Sequence, residues 1–368
     1  MQWQPSNEIP ASFLEIPKRV YRDDPLWIPE DPQQVAVAFS SLNPFFEGGK
    51  AWLQTEGNDC RLAGFYTPTL NIDDESVAFF GYWESTNNQE SNQRLFREFE
   101  LWAAKQGAKR IYGPINFSTF GNYRIRLDHF DKGYFTGEPY NPSYYQSLLE
   151  QLGYSEAINY YSIFSQQVGQ LANRFGPKQD TLALAKEEGF QLQLLTPELW
   201  REKLDELYPF VDAIFSENFA YTGIGANAFK AAFSSLSNKF CQHTSLAVLA
   251  PDGSLASCLL GFPDYGPLLC QGNENPINPL QLDFKKHFPL LECPTALGKT
   301  VGVLPDYRRY GLYTWMLHEY MILTAEHYQS VGAVLMRSGN NANKMANLIF
   351  EDETTHIRHY GLFQKLIA

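Results

Sequence analysis

The sequence predicts a mixed α/β fold in two units, and three observations lead there. The chain has 368 residues, and at roughly 150 residues per domain that is two cores rather than one. Aromatic and β-branched runs alternate with segments of helical period, and in the second half the order hairpin, strand, helix, strand, helix, strand marks a mixed sheet. With 44% hydrophobic and 19% charged residues and a mean hydropathy of -0.33, the chain has the composition of a folded protein rather than a disordered one.

In the first unit, "RLAGFYTP" and "SVAFFGYWE" read as strands joined by the polar turn "NIDDE". From Asn92 to Gly107, Leu95, Phe96, Phe99, Trp102 and Ala103 share one helical face, and the glycine ends it. "AKRIYGPINFS" is a short strand broken by Gly113 and Pro114. "EPYNPSYYQSLLEQLGY" restarts as a helix, capped by Asn141, with Pro142 in its first turn and Gly153 at its end. From Gly169, "GQLANRFGPKQD" is the linker candidate.

The second unit begins near Phe190. It offers a strand, "FQLQLLT", then helices over 197–208 and 227–236. "SLAVLAPDGSLASCLLG" is two apolar runs hinged on Asp252 and Gly253, a hairpin signature. A strand, "PTALGKTVGVL", a helix over 311–327, a strand, "GAVLMRS", a helix over 343–350 and a last apolar stretch, "HYGLFQKLI", complete the chain.

Composition excludes some functions. A formal charge of -12 opposes a polyanionic partner, so no nucleic acid is expected. No apolar run approaches the roughly 18 residues that span a bilayer, and no basic amphipathic helix suggests a membrane surface. The start, "MQWQPSNEIP", lacks a secretory signal, and a cytoplasmic location is expected. Five cysteines without C-x-x-C spacing read as reduced, buried thiols, with no metal site.

The chemistry concentrates at "VLPDYRRYGLYTW". A helix that starts just after a strand presents unpartnered N–H groups and the positive end of its dipole, which attract anions. Arg308 and Arg309 add charge there, and Gly311 permits close approach to the backbone.

This stretch, with "NNANKMANLIFED" one strand later, resembles the GCN5-related N-acetyltransferase (GNAT) superfamily. Its pyrophosphate-binding signature, R/Q-x-x-G-x-G/A, falls on Arg308, Arg309, Tyr310, Gly311, Leu312 and Tyr313. The first half ("YRDDPLWIPE", "NPFFEGG", "FFGYWE", "IYGPINFST", "YNPSYYQSLLEQLGY") resembles bacterial tandem GNAT-like proteins whose N-terminal copy has lost that loop. The resemblance covers nearly the entire chain. It implies two GNAT-like domains, 1–168 and 180–368, each a mixed, partly antiparallel twisted sheet flanked by helices.

It also implies an N-acyltransferase. The donor is acetyl-CoA, a longer acyl-CoA or the phosphopantetheine of an acyl carrier protein, and the acceptor is an amine of a small molecule or peptide. Strands that splay after "TVGVL" would free the amides of Val303 and Leu304 for the pantetheine and the oxyanion, and Asn343 matches the asparagine that contacts the pantetheine arm. Two positions depart from the pattern. Tyr313 replaces a glycine or alanine, which favours a carrier-protein donor with one phosphate. Phe350 stands where many members carry the tyrosine that protonates the thiolate, leaving Tyr360 as a substitute. Glu292, Asp264 and His243 are the titratable base candidates. The loop 117–142 is a possible acceptor wall, through Asn116, Ser118, Tyr123, Arg124, Arg126, Tyr140 and Tyr145. The alternative expectation is a non-catalytic acyl-CoA-binding or scaffolding protein that keeps the fold.

Overall fold

Aromatic and β-branched strands from both halves pair into one continuous sheet. The computed structural model describes residues 2–339, 346–347 and 349–367. The first half supplies β1 (Gln2–Trp3), β2 (Lys50–Glu56), β3 (Cys60–Ile72), β4 (Glu75–Ser85), β5 (Arg110–Gly113), β6 (Ile125–Arg126) and β7 (Ser155–Ser165). The second supplies β8 (Gln191–Leu194), β9 (Leu246–Leu249), β10 (Leu255–Pro263), β11 (Thr295–Val303), β12 (Ser330–Arg337) and β13 (His356–Leu366). Their order is β1-β2-β3-β4-β5-β13-β7-β12-β11-β10-β9-β8, with β6 added beside β13. Two pairings are parallel, β4 with β5 and β11 with β12, and the rest are antiparallel.

The halves interlock at the centre of this sheet. β13, last in the chain, lies between β5 and β7 of the first half, while β7 in turn pairs with β12 of the second. Residues 169–180, read from sequence as a linker, fall largely into the helices Val168–Leu171 and Gln179–Glu187 and the short 3-10 turn Ala172–Arg174 between them. Leu171 is fully buried, and Arg174 pairs with Asp352 at 3.1 Å. Apolar contacts and an ion pair therefore order a stretch that its glycine and proline marked as loose.

Helices cover the sheet where the apolar periodicity requires. Helix Gln89–Gln106 begins three residues before the expected Asn92 because the Asn88 side chain accepts from Ser91 N–H at 3.1 Å, and it ends at Gly107. It lays Leu95, Phe96, Phe99 and Trp102 on the sheet. Asn141 caps no helix: its side chain accepts from the Arg126 N–H at 2.7 Å and holds β6, and the helix starts at Tyr145. The β9–β10 hairpin turns at Gly253, φ 83°, as Asp-Gly predicts. Helix Leu312–His327 buries Met316, Tyr320 and Met321 beside β10 and β11. Of the five cysteines, all free, Cys60, Cys241 and Cys258 are buried, Cys270 is half-buried and Cys293 is exposed.

Two predictions follow from this packing. A fragment of residues 1–168 leaves β5 and β7 without their common neighbour, so it is expected to show no cooperative unfolding transition in urea, whereas the full chain does. The second concerns Glu84, which accepts from the Tyr21 and Tyr145 hydroxyls at 2.8 and 2.7 Å and whose carboxyl is pushed by burial from 4.5 up to about 7. Between these values the folded state holds a proton that the unfolded chain has released, so this group's contribution to stability falls as pH rises. Glu84→Gln keeps an acceptor without the charge. Its stability relative to the wild type should rise by roughly 2 kcal/mol from about pH 4.5 to about pH 8 in urea titrations, after allowing for residual water contact.

Candidate active site where two parallel strands part

β11 and β12 pair only as far as Gly298 and Ala333, although β11 runs on to Val303 and β12 to Arg337. A bulge on each strand drives them apart. On β11, Thr300 faces Leu260 and Gly298 faces Gly261, which leaves Lys299 as the extra residue. On β12, Ala333 faces Ile163 and Met336 faces Tyr161, so Val334 and Leu335 stand opposite Ser162 alone. Leu335 has φ 58°; its N–H donates to Ser162 Oγ at 2.9 Å and its carbonyl accepts from Arg124 at 3.1 Å. The first half thus holds β12 in its bend.

The parting occurs earlier than "TVGVL" suggested, and this changes which amides face it. The Leu304 N–H, expected to be free, donates to the Ala256 carbonyl at 3.0 Å. Strand alternation then turns the N–H groups of Val303 and Val301 to the other edge, which β12 has left.

A cavity lies on each side of the gap. Toward helix Leu312–His327 there is a narrow one of about 90 Å³, walled by Gly298, Tyr313, Tyr320, Ala333 and Phe350. Toward helices Leu204–Phe215 and Ala226–Phe233 there is a chamber of about 510 Å³, walled by Tyr123, Arg124, Tyr160, Phe219, Phe229 and Arg337 among others. Lys299, Val301, Val334 and Met336 line both. Lys299 is exposed on the chamber side, and the protein around it, aided by the Arg124 charge, reduces its hydration and pushes its ammonium down to about 8. Among the described residues it has no hydrogen-bond or ion-pair partner. Gly137, at φ 79°, makes its room, since a Cβ there would collide with Nζ.

The phosphate signature divides by burial. Tyr310 and Leu312 are core residues, Tyr310 packing on Phe190 with ring centroids 4.7 Å apart. Arg308 and Arg309 are exposed; Arg309 donates to the Tyr310 hydroxyl at 2.7 Å, and Arg308 reaches the Val303 carbonyl at 3.5 Å. Gly311, φ 67°, starts the helix, and the Thr181 hydroxyl lies 2.9 Å from where its Cβ would be. Tyr313 is half-buried in the wall of the narrow cavity, and burial raises its phenol pKa. Asn343 lies outside the described residues.

The remaining sequence candidates scatter. Tyr123 and Arg124 line the chamber; Arg124 lies between the Tyr123 and Tyr160 rings, 3.8 and 4.0 Å from their centroids. Asn116 accepts from the Tyr82 N–H at 2.7 Å, and Ser118 from the Phe120 N–H at 3.3 Å. Arg126 is fully buried and donates to the Asp128 carbonyl, Tyr140 donates to Asp24, and Tyr145 to Glu84. None of these five lines either cavity. Tyr360 is fully buried with its hydroxyl on Glu138, and that burial and carboxylate raise its pKa. Glu292 is exposed ahead of β11, its carbonyl accepting from Gln329 at 3.3 Å. Asp264 accepts from the N–H groups of Thr136 and Gly266 at 3.0 and 2.9 Å, and burial pushes it up to about 6. His243 stacks on His327, and burial and that neighbour lower its pKa. Sequence reasoning missed Lys299, whose one signal was a lysine inside the apolar strand "TALGKTVGV". Among the described residues no cluster of three or more His, Cys, Asp or Glu is placed to hold a metal, and no helix is long and apolar enough to cross a membrane.

Lys299 should show itself chemically. Its amine is half neutral near pH 8, against 10.5 for an ordinary lysine, so limiting trinitrobenzenesulfonate at pH 8 should label it ahead of exposed lysines, as read by peptide mass mapping. Its labelling rate should level off above about pH 9, whereas theirs keeps rising.

No family model matches the chain. Protein YghO of Escherichia coli strain K12 is 26% identical over 160 residues, 42% of this chain and 40% of that protein, so the match spans about two-fifths of the relative's length. Among solved structures, a tandem GNAT protein from the clavulanic acid biosynthesis pathway superposes with a TM-score of 0.51 at 10% identity, covering 97% of this chain and 94% of the other. A probable N-acyltransferase from Enterococcus faecalis V583 gives 0.49 at 9% identity over 97% and 70%, too low to weigh in the argument. With its mixed sheet flanked by helices and its likeness along nearly the whole chain to a tandem GNAT structure, this protein has the tandem GNAT fold.

Proposed function

We propose that this protein is an N-acyltransferase that moves an acyl group from a thioester to an amine across the gap between β11 and β12. The observation that carries this reading is the meeting of two cavities at that gap, with Lys299, Val301, Val334 and Met336 common to both. A thioester arm in the narrow cavity would place its carbonyl carbon where an amine in the chamber reaches it, and positioning of this kind supplies much of the rate. The nitrogen attacks that carbon, the C–N bond forms and the C–S bond breaks. The nitrogen gives its proton to water, and the sulfur leaves as thiolate and takes up a proton in turn. The outward-turned amide of Val301, which lines both cavities, is the donor available to the developing oxyanion.

Tyr313 has its ring in the narrow cavity, and burial keeps its phenol protonated, so this reading gives it the delivery of a proton to the thiolate. Arg308 and Arg309 would face the donor's phosphate. Thr181 beside Gly311 leaves little space for a full pyrophosphate, which supports a carrier-protein phosphopantetheine over coenzyme A. A second reading, a thioester-binding protein without turnover, draws on the apolar Phe350 and on the absence of Asp, Glu and His from both cavity walls among the described residues.

Thiol release from matched acyl-carrier-protein and acyl-CoA thioesters, across an amine panel, tests these readings. Amine-dependent release, faster from the carrier protein, is expected. Tyr313→Phe should lower kcat about tenfold with KM little changed, and Arg308→Ala with Arg309→Ala should raise the thioester KM about tenfold. Thioester binding without release on any amine would instead sustain the second reading.

A further inference from the structure

The larger chamber has a charge pattern at odds with the rest of the chain. The protein carries a formal charge of -12, yet the chamber wall holds Arg124, Lys299 and Arg337 and, among the described residues, no aspartate or glutamate. Arg124 is only 5% exposed, and its Nε has no hydrogen-bond partner among the described residues. Lys299 likewise lacks a partner. The rest of the wall mixes aromatic and aliphatic side chains, with Phe219, Phe229, Phe233 and Trp200 facing the same space.

We infer that this chamber takes an amine that also carries a carboxylate on an aromatic or aliphatic body, such as an apolar α-amino acid, with Lys299 meeting the carboxylate. The inference rests on the acyl-transfer reading for the role of the amine, but the carboxylate preference stands on the chamber itself. Arg124 is enclosed, and neither it nor Lys299 has a counterion among the described residues, which is costly; an anionic ligand offsets that cost where a hydrocarbon tail would leave it standing. A polyamine would add like charge beside Arg124 and Lys299, with no acid on the described chamber wall to neutralise it. Position favours an α-amino acid in particular. Lys299 lies at the gap, so a carboxylate on its ammonium leaves the neighbouring amine beside the thioester arm and directs the side chain toward the rings.

Calorimetric titration of the full chain without any thioester tests this, using L-phenylalanine, phenethylamine, 3-phenylpropionate, decanoate and spermidine as probes. Phenylalanine is expected to bind at least about tenfold more tightly than phenethylamine, the size of one charge-assisted contact. Lys299→Met should erase that advantage and Lys299→Arg retain most of it. Thermal unfolding of both variants no lower than the wild type's would confirm that they are folded, as the absence of partners predicts. Equal or tighter binding of phenethylamine or spermidine, binding of decanoate alone, an undiminished preference in folded Lys299→Met, or no binding of any probe each overturns the inference. Thiol release is read separately: phenylalanine binding without amine-dependent release would sink the acyltransferase reading and leave the carboxylate site standing, and release with carboxylate-free amines alone would do the reverse.

Discussion

The placement of β13 between β5 and β7 is the constraint from which the rest follows. A central strand contributed by the far end of the chain means that neither half completes its hydrogen-bond ladder alone. Buried charge reinforces the join. Glu138, fully enclosed, accepts from Arg358 at 2.8 Å and from Tyr360, and it lies 3.8 Å from Arg126. Removing one member of such a cluster strands the others' charge out of water, so the cluster holds the segment from Arg126 to Asn141 in one position. Asp264 of the second half grips the same segment through Thr136.

This join places the first half's residues at the gap between the second half's strands. Ser162 lies on β7 and Arg124 just before β6, and together they engage Leu335 and hold β12 in its bend. A gap between parallel strands ordinarily leaves amides unsatisfied. Here one side of the opening is satisfied by the neighbouring half, and the other, at Val301, faces the cavities. The candidate site therefore belongs to the junction, and its geometry depends on side chains more than a hundred residues apart in sequence.

Net charge gives little guide to the field inside such a junction. Glu84, Glu138 and Asp264 are enclosed away from the chamber, whose described wall carries no acid, and Arg124 sits there where screening is weak. The protein around Lys299 lowers its pKa by reducing its hydration, and Arg124 adds to it, so the two effects act in the same direction.

The run of hairpin, strand, helix and strand in the second half, the helix of Leu95 to Trp102 and the strand-to-helix turn at Gly311 were legible in the sequence, because each rests on local periodicity or on a backbone angle that few residues accept, whereas β2 and β7 were not read from it. Tyr123 and Arg124 were legible as members of a polar aromatic loop, but nothing local separated them from Asn116 or Arg126, which serve the backbone instead. Only the tertiary structure decided that β13 crosses into the first half, that the supposed linker is helical, that the Leu304 amide is engaged and that Lys299 stands at the opening. Those outcomes depend on which strand edge meets which, and pairing between distant segments leaves no periodic trace in the sequence on either side.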